Sequence, residues 1–534
     1  MRGIAVIPFA MTVVLAQDAA KPRHTIIFVA AGLRYDSVNP ADTPAFHRIG
    51  TEGVSFVNGH TVFPTQTMPN AASIATGHLP GDTGQFGNHL FIGYPLFDTG
   101  NFGRARGTLV PAVEEGSVLA DINDHYGGNY LREASLLAYA RSYGYNTATV
   151  GKTGPAALQD VADVSVIRRT PRDPGTIIVE NATGTPRGIP LTATTMSLLK
   201  TAGLPPQPPP TAADVGHQPW FADVVTKAIL PAFGKSADPF VLVFWPDGSL
   251  APGAAIRNAD RDLKQILDYL DANTDVRDIT NIFVTADRGL ATIDGPDVDL
   301  VVDLAQELRL PVYDPEVQIT DERGVTRYAS RRPSKATALI GGTGKIERPT
   351  DARLIVAQTS IHVPDNNRGT VQQIVRFLAA RDRIGGIFVN DRFGSMPGAL
   401  QLSDVGLLGR ATTPKPSVVV SFDDAFSQAN TLINMAAMGP DFKKRFVARA
   451  PAGNADIQPT LAHILKMNIP SLGKLRGRVL SEALAGGPQT MRFSTAVARS
   501  RPSERGESTV LTYQRVGDHR YPDHACFTRE KTCR

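Results

Sequence analysis

HTVFPTQTMPNAASIATGHLPGDTGQFGN, residues His60 to Asn88, is the stretch from which the rest of the chain is best read. Phe63-Pro64-Thr65 has the composition of a turn, and Met68 to Gly77 reads as a short helix. Thr67 falls at the N-cap of that helix, with Pro69 tolerated in its first turn. A hydroxyl placed there sees the positive end of the helix dipole and free backbone N–H groups, an environment that favours an alkoxide and bound anions. The same residue also serves as a plain helix cap, the commonest helical role of threonine. Both readings stay open at this level.

Outward from this stretch the pattern is one of alternating strands and helices. His24–Val29 (HTIIFV) is a short apolar, β-branched run, as are Phe240–Trp245 (FVLVFW) and Asn281–Thr285 (NIFVT); runs of this kind suit strands buried on both faces. Tyr145–Val150 is a further strand, and Ser417–Phe422 is expected to return to the same sheet. Helices are predicted from Pro44 to Thr51, Leu131 to Ser142, Phe221 to Phe233 and Ala255 to Ala272. The last places Ile256, Leu263, Ile266, Leu267 and Leu270 on one face. Phe91–Tyr130 is weakly periodic and reads as a surface excursion, and Leu204–Thr211 as an extended proline-rich connector. The expected fold is α/β, with a largely parallel central sheet, helices on both faces, and a smaller inserted α/β subdomain at about 301–390 whose helix runs from Thr370 to Ala380.

FPTQTMPN followed by TGHLPGDTGQFGN resembles the nucleophile segment of the alkaline phosphatase superfamily, in its nucleotide pyrophosphatase/phosphodiesterase branch. The resemblance extends from about His24 to Leu484, through Asp456–Leu461 and Arg476–Leu480. It implies an alkaline-phosphatase-like fold over 24–485 and a phosphoric ester hydrolase in which Thr67 attacks phosphorus. Asn88, 21 residues further on, would help hold the phosphoryl oxygen. It also implies two metal ions, usually zinc, held by three aspartates and three histidines at strand ends. Residue by residue the match is incomplete. Ala31 in VAAGLR stands where the first aspartate belongs, with Asp36 further along at a separate position. Asp247 in WPDG is present, but Ala251 stands where its histidine partner belongs. Asp287 in TADRG is present, but Arg288 replaces the neighbouring histidine. The last histidine is missing from the segment after Phe422, and His463 is no obvious substitute. Thr67, Asn88, Asp247 and Asp287 remain. One carboxylate per site does not make the three or four N, O or S ligands zinc needs; a hard divalent ion would be held weakly, if any is held. Arg288 either pairs with the stranded carboxylates or points to solvent from a remodelled loop.

Composition is that of an ordinary globular protein, 42% hydrophobic and 20% charged, with a net charge of +4. Residues Thr490 to Arg534 carry nine Lys/Arg against five Asp/Glu, so the remainder is close to neutral and offers no nucleic-acid groove. Residues 486–534 therefore read as a basic, solvated C-terminal segment. The start of the chain has a basic residue (Arg2), an apolar run from Gly3 to Ala16 and a small-residue site at Val14-Leu15-Ala16, as in a cleaved export signal over 1–16. An uncleaved interfacial anchor is the alternative; the run is too short to span a bilayer. Cys526 and Cys533 could close a small loop in an oxidising compartment. Two functions follow: an exported, secreted or periplasmic, phosphodiesterase-like hydrolase working through Thr67 with an eroded metal site, or a non-catalytic descendant that binds a phosphate ester, another anion or a protein partner.

Overall fold

The computed structural model describes residues 22–96, 108–164, 175–185, 188–209, 219–246, 252–290, 299–315, 318–320, 326–328, 336–342, 346, 348–422, 429–529 and 533. The signal-like segment 1–16 lies outside them, as do part of the proline-rich connector and Asp247 with Ala251.

The core is a nine-stranded sheet. Six of its strands are β1 (His24–Val29), β2 (Val54–His60), β3 (Asn146–Gly151), β4 (Ile177–Glu180), β5 (Phe240–Trp245) and β6 (Thr280–Thr285). Its order is Phe446–Ala448, β2, Leu432–Met438, β6, β1, β5, β3, β4, with Ala452–Gly453 extending the pairing of β2. β6, β1, β5, β3 and β4 run parallel, and every residue of β1, β5 and β6 is buried. That is why these strands read as continuous apolar runs. Helix α1 (Pro44–Glu52) packs on the Pro252–Ala272 helix, and α2 (Thr67–Thr76) packs on Pro155–Leu158 and Ile457–Ile464. No side chain of its own caps α1; instead Asp260 of the neighbouring helix accepts from Phe46 N at 2.9 Å and Ala45 N at 3.3 Å. Burial pushes the Asp260 carboxyl up while these two N–H groups pull it down.

A second sheet follows, in the order Leu400–Gln401, Ile384–Val389, Val418–Phe422, Ser360–His362, Leu354–Ala357, Thr337–Ile340, Val312–Tyr313. Its helix runs from Arg368 to Ala379. Val418–Phe422 belongs here and not to the central sheet, pairing antiparallel with Ile384–Val389 and Ser360–His362. A short apolar run such as Val418–Val420 has the same signature in either sheet, so only the pairing decides. The strand that joins the central sheet instead is Leu432–Met438 (LINMAAM), antiparallel between β2 and β6, whose alanines, asparagine and methionines carry little β-propensity.

Other expectations also need correction. Phe91–Tyr130 is not a surface excursion throughout: it contains the helix Gly116–His125, which buries Val118, Leu119 and Ile122, and Tyr130 itself is buried. The helix expected from Leu131 begins at Leu136, because Arg132 is left-handed (φ 62°) and Ser135 caps by accepting from Ala138 N at 3.2 Å. The basic C-terminal segment is not merely solvated surface. Ser494–Arg499, Thr509–Val516 and His519–Phe527 form an antiparallel three-stranded sheet, and a Cys526–Cys533 disulfide closes its last loop. Buried polar contacts join this sheet to the core. Tyr521 Oη donates to Asp456 Oδ2 at 2.9 Å, Arg478 Nε donates to Tyr521 Oη at 3.0 Å, and Arg478 Nη2 lies 2.6 Å from Glu482 Oε1. No helix among the described residues is long and apolar enough to cross a membrane.

His362, on the second sheet, is buried edge-on against Phe91, and this burial pushes its pKa from 6.5 down to about 3, opposed by a backbone hydrogen bond at Lys415. Between those two values the unfolded chain takes up a proton that the folded chain refuses. This contribution is therefore complete above pH 6.5 and is lost on acidification, at up to about 1.4 kcal/mol per pH unit. Urea unfolding followed across that range is expected to show a steep acid limb, and His362→Gln to flatten it.

Candidate active site

Parallel strands leave their carboxyl ends at one edge of the sheet, and β1 and β6 are neighbours there. Val29 is in register with Thr285, and Gly32 bridges Gly289, with Gly32 N donating to the Arg288 carbonyl at 3.1 Å. Ala31 and Asp287 both fall in the short segments between these two pairings, where the register shifts by one residue.

Helix α2 begins at Thr67, one residue earlier than expected, with Gln66 in extended conformation (φ −133°, ψ 159°) at the N-cap. Thr67 is thus the first helical residue and not the cap. Its side chain does not return to the helix: Thr67 Oγ1 donates to Asp287 Oδ2 at 2.7 Å, both groups fully buried. Capping falls to Asn88, whose Oδ1 accepts from Met68 N at 2.9 Å, leaving Nδ2 to donate elsewhere. Asn88 is itself held through its backbone N–H by Gln66 Oε1 at 2.9 Å and Gln358 Oε1 at 3.0 Å, the latter reaching across from the second sheet. On the other side Val113 N donates to the Asn88 carbonyl at 2.9 Å, and the adjacent Glu114 pairs with Lys152, just past β3, at 3.2 Å. Burial pushes the pKa of the neighbouring His89 down, with Glu114 opposing.

Behind the first turn of α2 two buried amides make the framework. Asn454 Oδ1 accepts from Thr285 Oγ1 at 2.6 Å, and its Nδ2 donates to the Ala286 carbonyl and to Asn70 Oδ1, both at 2.8 Å. Asn70 Oδ1 also accepts from Val62 N at 2.9 Å. The end of β6, the turn before α2 and the first turn of α2 are thereby tied together. At the other end α2 stops at Gly77 (φ 72°), where a Cβ would meet Gln458 Oε1 at 2.6 Å.

Of the positions named from the sequence, Thr67 and Asp287 are in contact, Ala31 follows the end of the neighbouring strand β1, and Asn88 sits at the α2 N-terminus. Asp247 and Ala251 lie outside the described residues, as does 423–428, where the last histidine was sought. Asp36 pairs at the surface with Arg34 at 2.9 Å, and His463 is exposed. Among the described residues no ion pair joins Arg288 to Asp287. The half-buried Arg288 keeps a buried Nε without a partner, and Asp287 Oδ1 is likewise buried and unpartnered. Gln66, Asn70, Gln358, Asn454 and Lys152 escaped the sequence reading; only Gln66 and Asn70 lay within the quoted motif.

One group of three potential metal ligands comes together among the described residues, His78, Asp82 and Glu133. It lies at the other end of α2 from Thr67, about 15 Å along the helix axis. Its oxygens are already engaged. Asp82 accepts from Arg410 N at 3.0 Å and Leu475 N at 2.7 Å, Glu133 from Leu472 N at 3.0 Å and Gly473 N at 2.5 Å. His78 faces Asp82 through Nδ1 at 3.1 Å and Ser471 through Nε2 at 3.0 Å. Although burial pushes the Asp82 carboxyl up, the bonds from His78 and the two N–H groups hold it below its ordinary value. The cluster fastens the 471–475 loop.

Residues 25–123 match the family pattern of the type I phosphodiesterase/nucleotide pyrophosphatase proteins. Among solved structures, the wild-type alkaline phosphatase PafA is 14% identical and aligns with a TM-score of 0.52, over 88% of this chain and 100% of its own. Human ectonucleotide pyrophosphatase/phosphodiesterase 5 is 15% identical at a TM-score of 0.48, over 86% of this chain and 100% of its own. The murine protein, as an inactive variant in complex with AMP, is 14% identical at 0.47, over 87% and 100%. No curated protein sequence matches the chain.

Removing the Thr67 hydroxyl would leave both Asp287 oxygens without a partner. Thr67→Val is expected to lower unfolding stability by about 1.5–3 kcal/mol, the range for a hydrogen bond to a charged group. Chemical denaturation beside the unmodified protein measures it.

Proposed function

We infer that the chain is a member of the type I phosphodiesterase/nucleotide pyrophosphatase branch of the alkaline phosphatase superfamily that keeps the phosphate-binding half of the family's site and has lost the metal-binding half. The observation carrying this reading is the buried 2.7 Å bond from Thr67 to Asp287, with alanine and arginine at the flanking positions Ala31 and Arg288. Zinc is held by three or four N, O or S ligands. Thr67 and Asp287 alone do not fit a resident zinc ion, so no catalytic step is derived through one. A hydroxyl that donates to a carboxylate is also the wrong state for attack, which calls for the alkoxide.

Anion binding needs less. The N-terminus of α2 supplies dipole and N–H groups, and Asn88 Nδ2 is available to donate. The ligand class is a small phosphate ester or a similar anion, and turnover through Thr67 is near background. A second reading, residual phosphodiester hydrolysis with one weakly held divalent ion, draws on the buried, unpartnered Asp287 Oδ1. A hard ion completed by waters is the form such a site would take. We propose in addition that the protein is exported, with cleavage after Ala16; the Cys526–Cys533 bond is consistent with an oxidising compartment.

Ala31→Asp with Arg288→His places two ligands beside Asp287 and Thr67, enough for tetrahedral zinc. Elemental analysis is expected to find well under one zinc per unmodified chain and about one in the double variant, with little gain in aryl phosphodiester hydrolysis because the second ion is still missing. Two zinc equivalents in the unmodified protein would falsify the proposal. A double variant that gains none would mean that the strand ends no longer hold ligand geometry.

A further inference from the structure

The three-stranded C-terminal sheet has an open edge. Ser494–Arg499 pairs on one side with Thr509–Val516, six residues in unbroken register, and no strand among the described residues lies along its other side. Ser500 N donates to the Thr509 carbonyl at 2.9 Å. On the antiparallel alternation, Ser494, Ala496 and Ala498 therefore turn their backbone groups inward, and Thr495, Val497 and Arg499 turn theirs outward. All three outward residues are exposed, Val497 at 59%, and Phe493 just before them is 44% exposed. Ala496 and Ala498 pack on the core and hold the strand in place. Native sheets blunt such an edge with proline, a bulge, a very short strand or a cover. This strand has none of these: it is six residues long, Arg499 is its one charge, and Pro502 comes only after its end.

The charge around the edge has one sign. From Met491 to Val516 there are five arginines (Arg492, Arg499, Arg501, Arg505 and Arg515) and two glutamates. Both glutamates are already paired, Glu504 with Arg376 at 3.3 Å and Glu507 with Arg529 at 2.7 Å. Arg492 and Arg499, which flank the open edge, pair with no carboxylate among the described residues. On the third strand Asp523 is turned to His60 at 2.6 Å, and that strand is separated from the open edge by Thr509–Val516.

We propose that this edge binds an extended acidic segment of another protein, which adds a fourth strand to the C-terminal sheet. The outward backbone groups of Thr495, Val497 and Arg499 supply the main-chain bonds, and Val497 and Phe493 meet an apolar side chain of the incoming strand. Arg492 and Arg499 select acidic residues towards its two ends. A second copy of this chain fits less well, since two such edges would bring arginines against arginines.

The test is titration of the purified chain into a fluorescently labelled peptide, Asp-Val-Thr-Val-Thr-Val-Asp, beside its counterpart with lysine for both aspartates. Sedimentation of the chain alone accompanies it. The acidic peptide is expected to bind with a Kd on the order of 100 µM, the lysine peptide at least about tenfold more weakly, and the chain alone to sediment as a monomer. Val497→Pro removes one outward N–H and leaves the bonds to Thr509–Val516 in place, and should weaken the acidic peptide at least about tenfold. Arg499→Glu should weaken it as much and narrow the difference between the two peptides. Should Val497→Pro fail to fold, Arg499→Glu, at an exposed strand end, decides. No saturable binding below about 1 mM, equal binding of the lysine peptide, or indifference to both variants overturns the proposal. A dimer that Val497→Pro dissociates also overturns it, since the edge would then belong to a second copy.

Discussion

One buried side chain, the amide of Asn454, meets the end of β6, the start of α2 and, through Asn70, the turn between β2 and α2. A parallel sheet brings strand ends to one edge but leaves their loops free to splay. Asn454 removes that freedom by satisfying the Thr285 hydroxyl and the Ala286 carbonyl next to Asp287. Because the amide is fully buried, each lost bond would strand a polar group away from water, at about 1–3 kcal/mol apiece. The contact between Thr67 and Asp287 depends on this tie.

Under the proposed function this edge of the sheet keeps the gathering of a two-metal site while its charges are thinned. Ala31 fills its position without a donor atom, and Arg288 is held through its carbonyl by Gly32 while its guanidinium makes no pair with Asp287. The Asp287 carboxylate is satisfied on one oxygen by the Thr67 hydroxyl. An arrangement of this kind retains the fold and the anion-attracting helix end without needing an ion to neutralise clustered aspartates.

What could be read in advance follows from what each residue depends on. β1, β5 and β6 were legible because a strand buried on both faces must be apolar along its length. Val418–Val420 obeys the same rule and yet joins the second sheet, since burial does not name the neighbour. Leu432–Met438, held by pairing on both sides, had no β-rich composition to announce it. Thr67, Asn88 and Asp287 stood out through motif and spacing. Asn454 and Gln358 did not, because neutral amides act here through contacts across some 170 to 380 residues of chain, which no local pattern records. The one-residue shift of α2 has a similar origin: a distant carboxylate claimed the Thr67 hydroxyl, and Asn88 took over the cap.

The central claim is that Thr67 is an anchored alcohol and not a working nucleophile. The most direct measurement is hydrolysis of a bis-aryl phosphate by the purified protein with added zinc and with added magnesium, beside Thr67→Ala under the same conditions. The account predicts rates for the two proteins that are equal and indistinguishable from the buffer with metal alone. A rate well above that background which disappears in Thr67→Ala would contradict it.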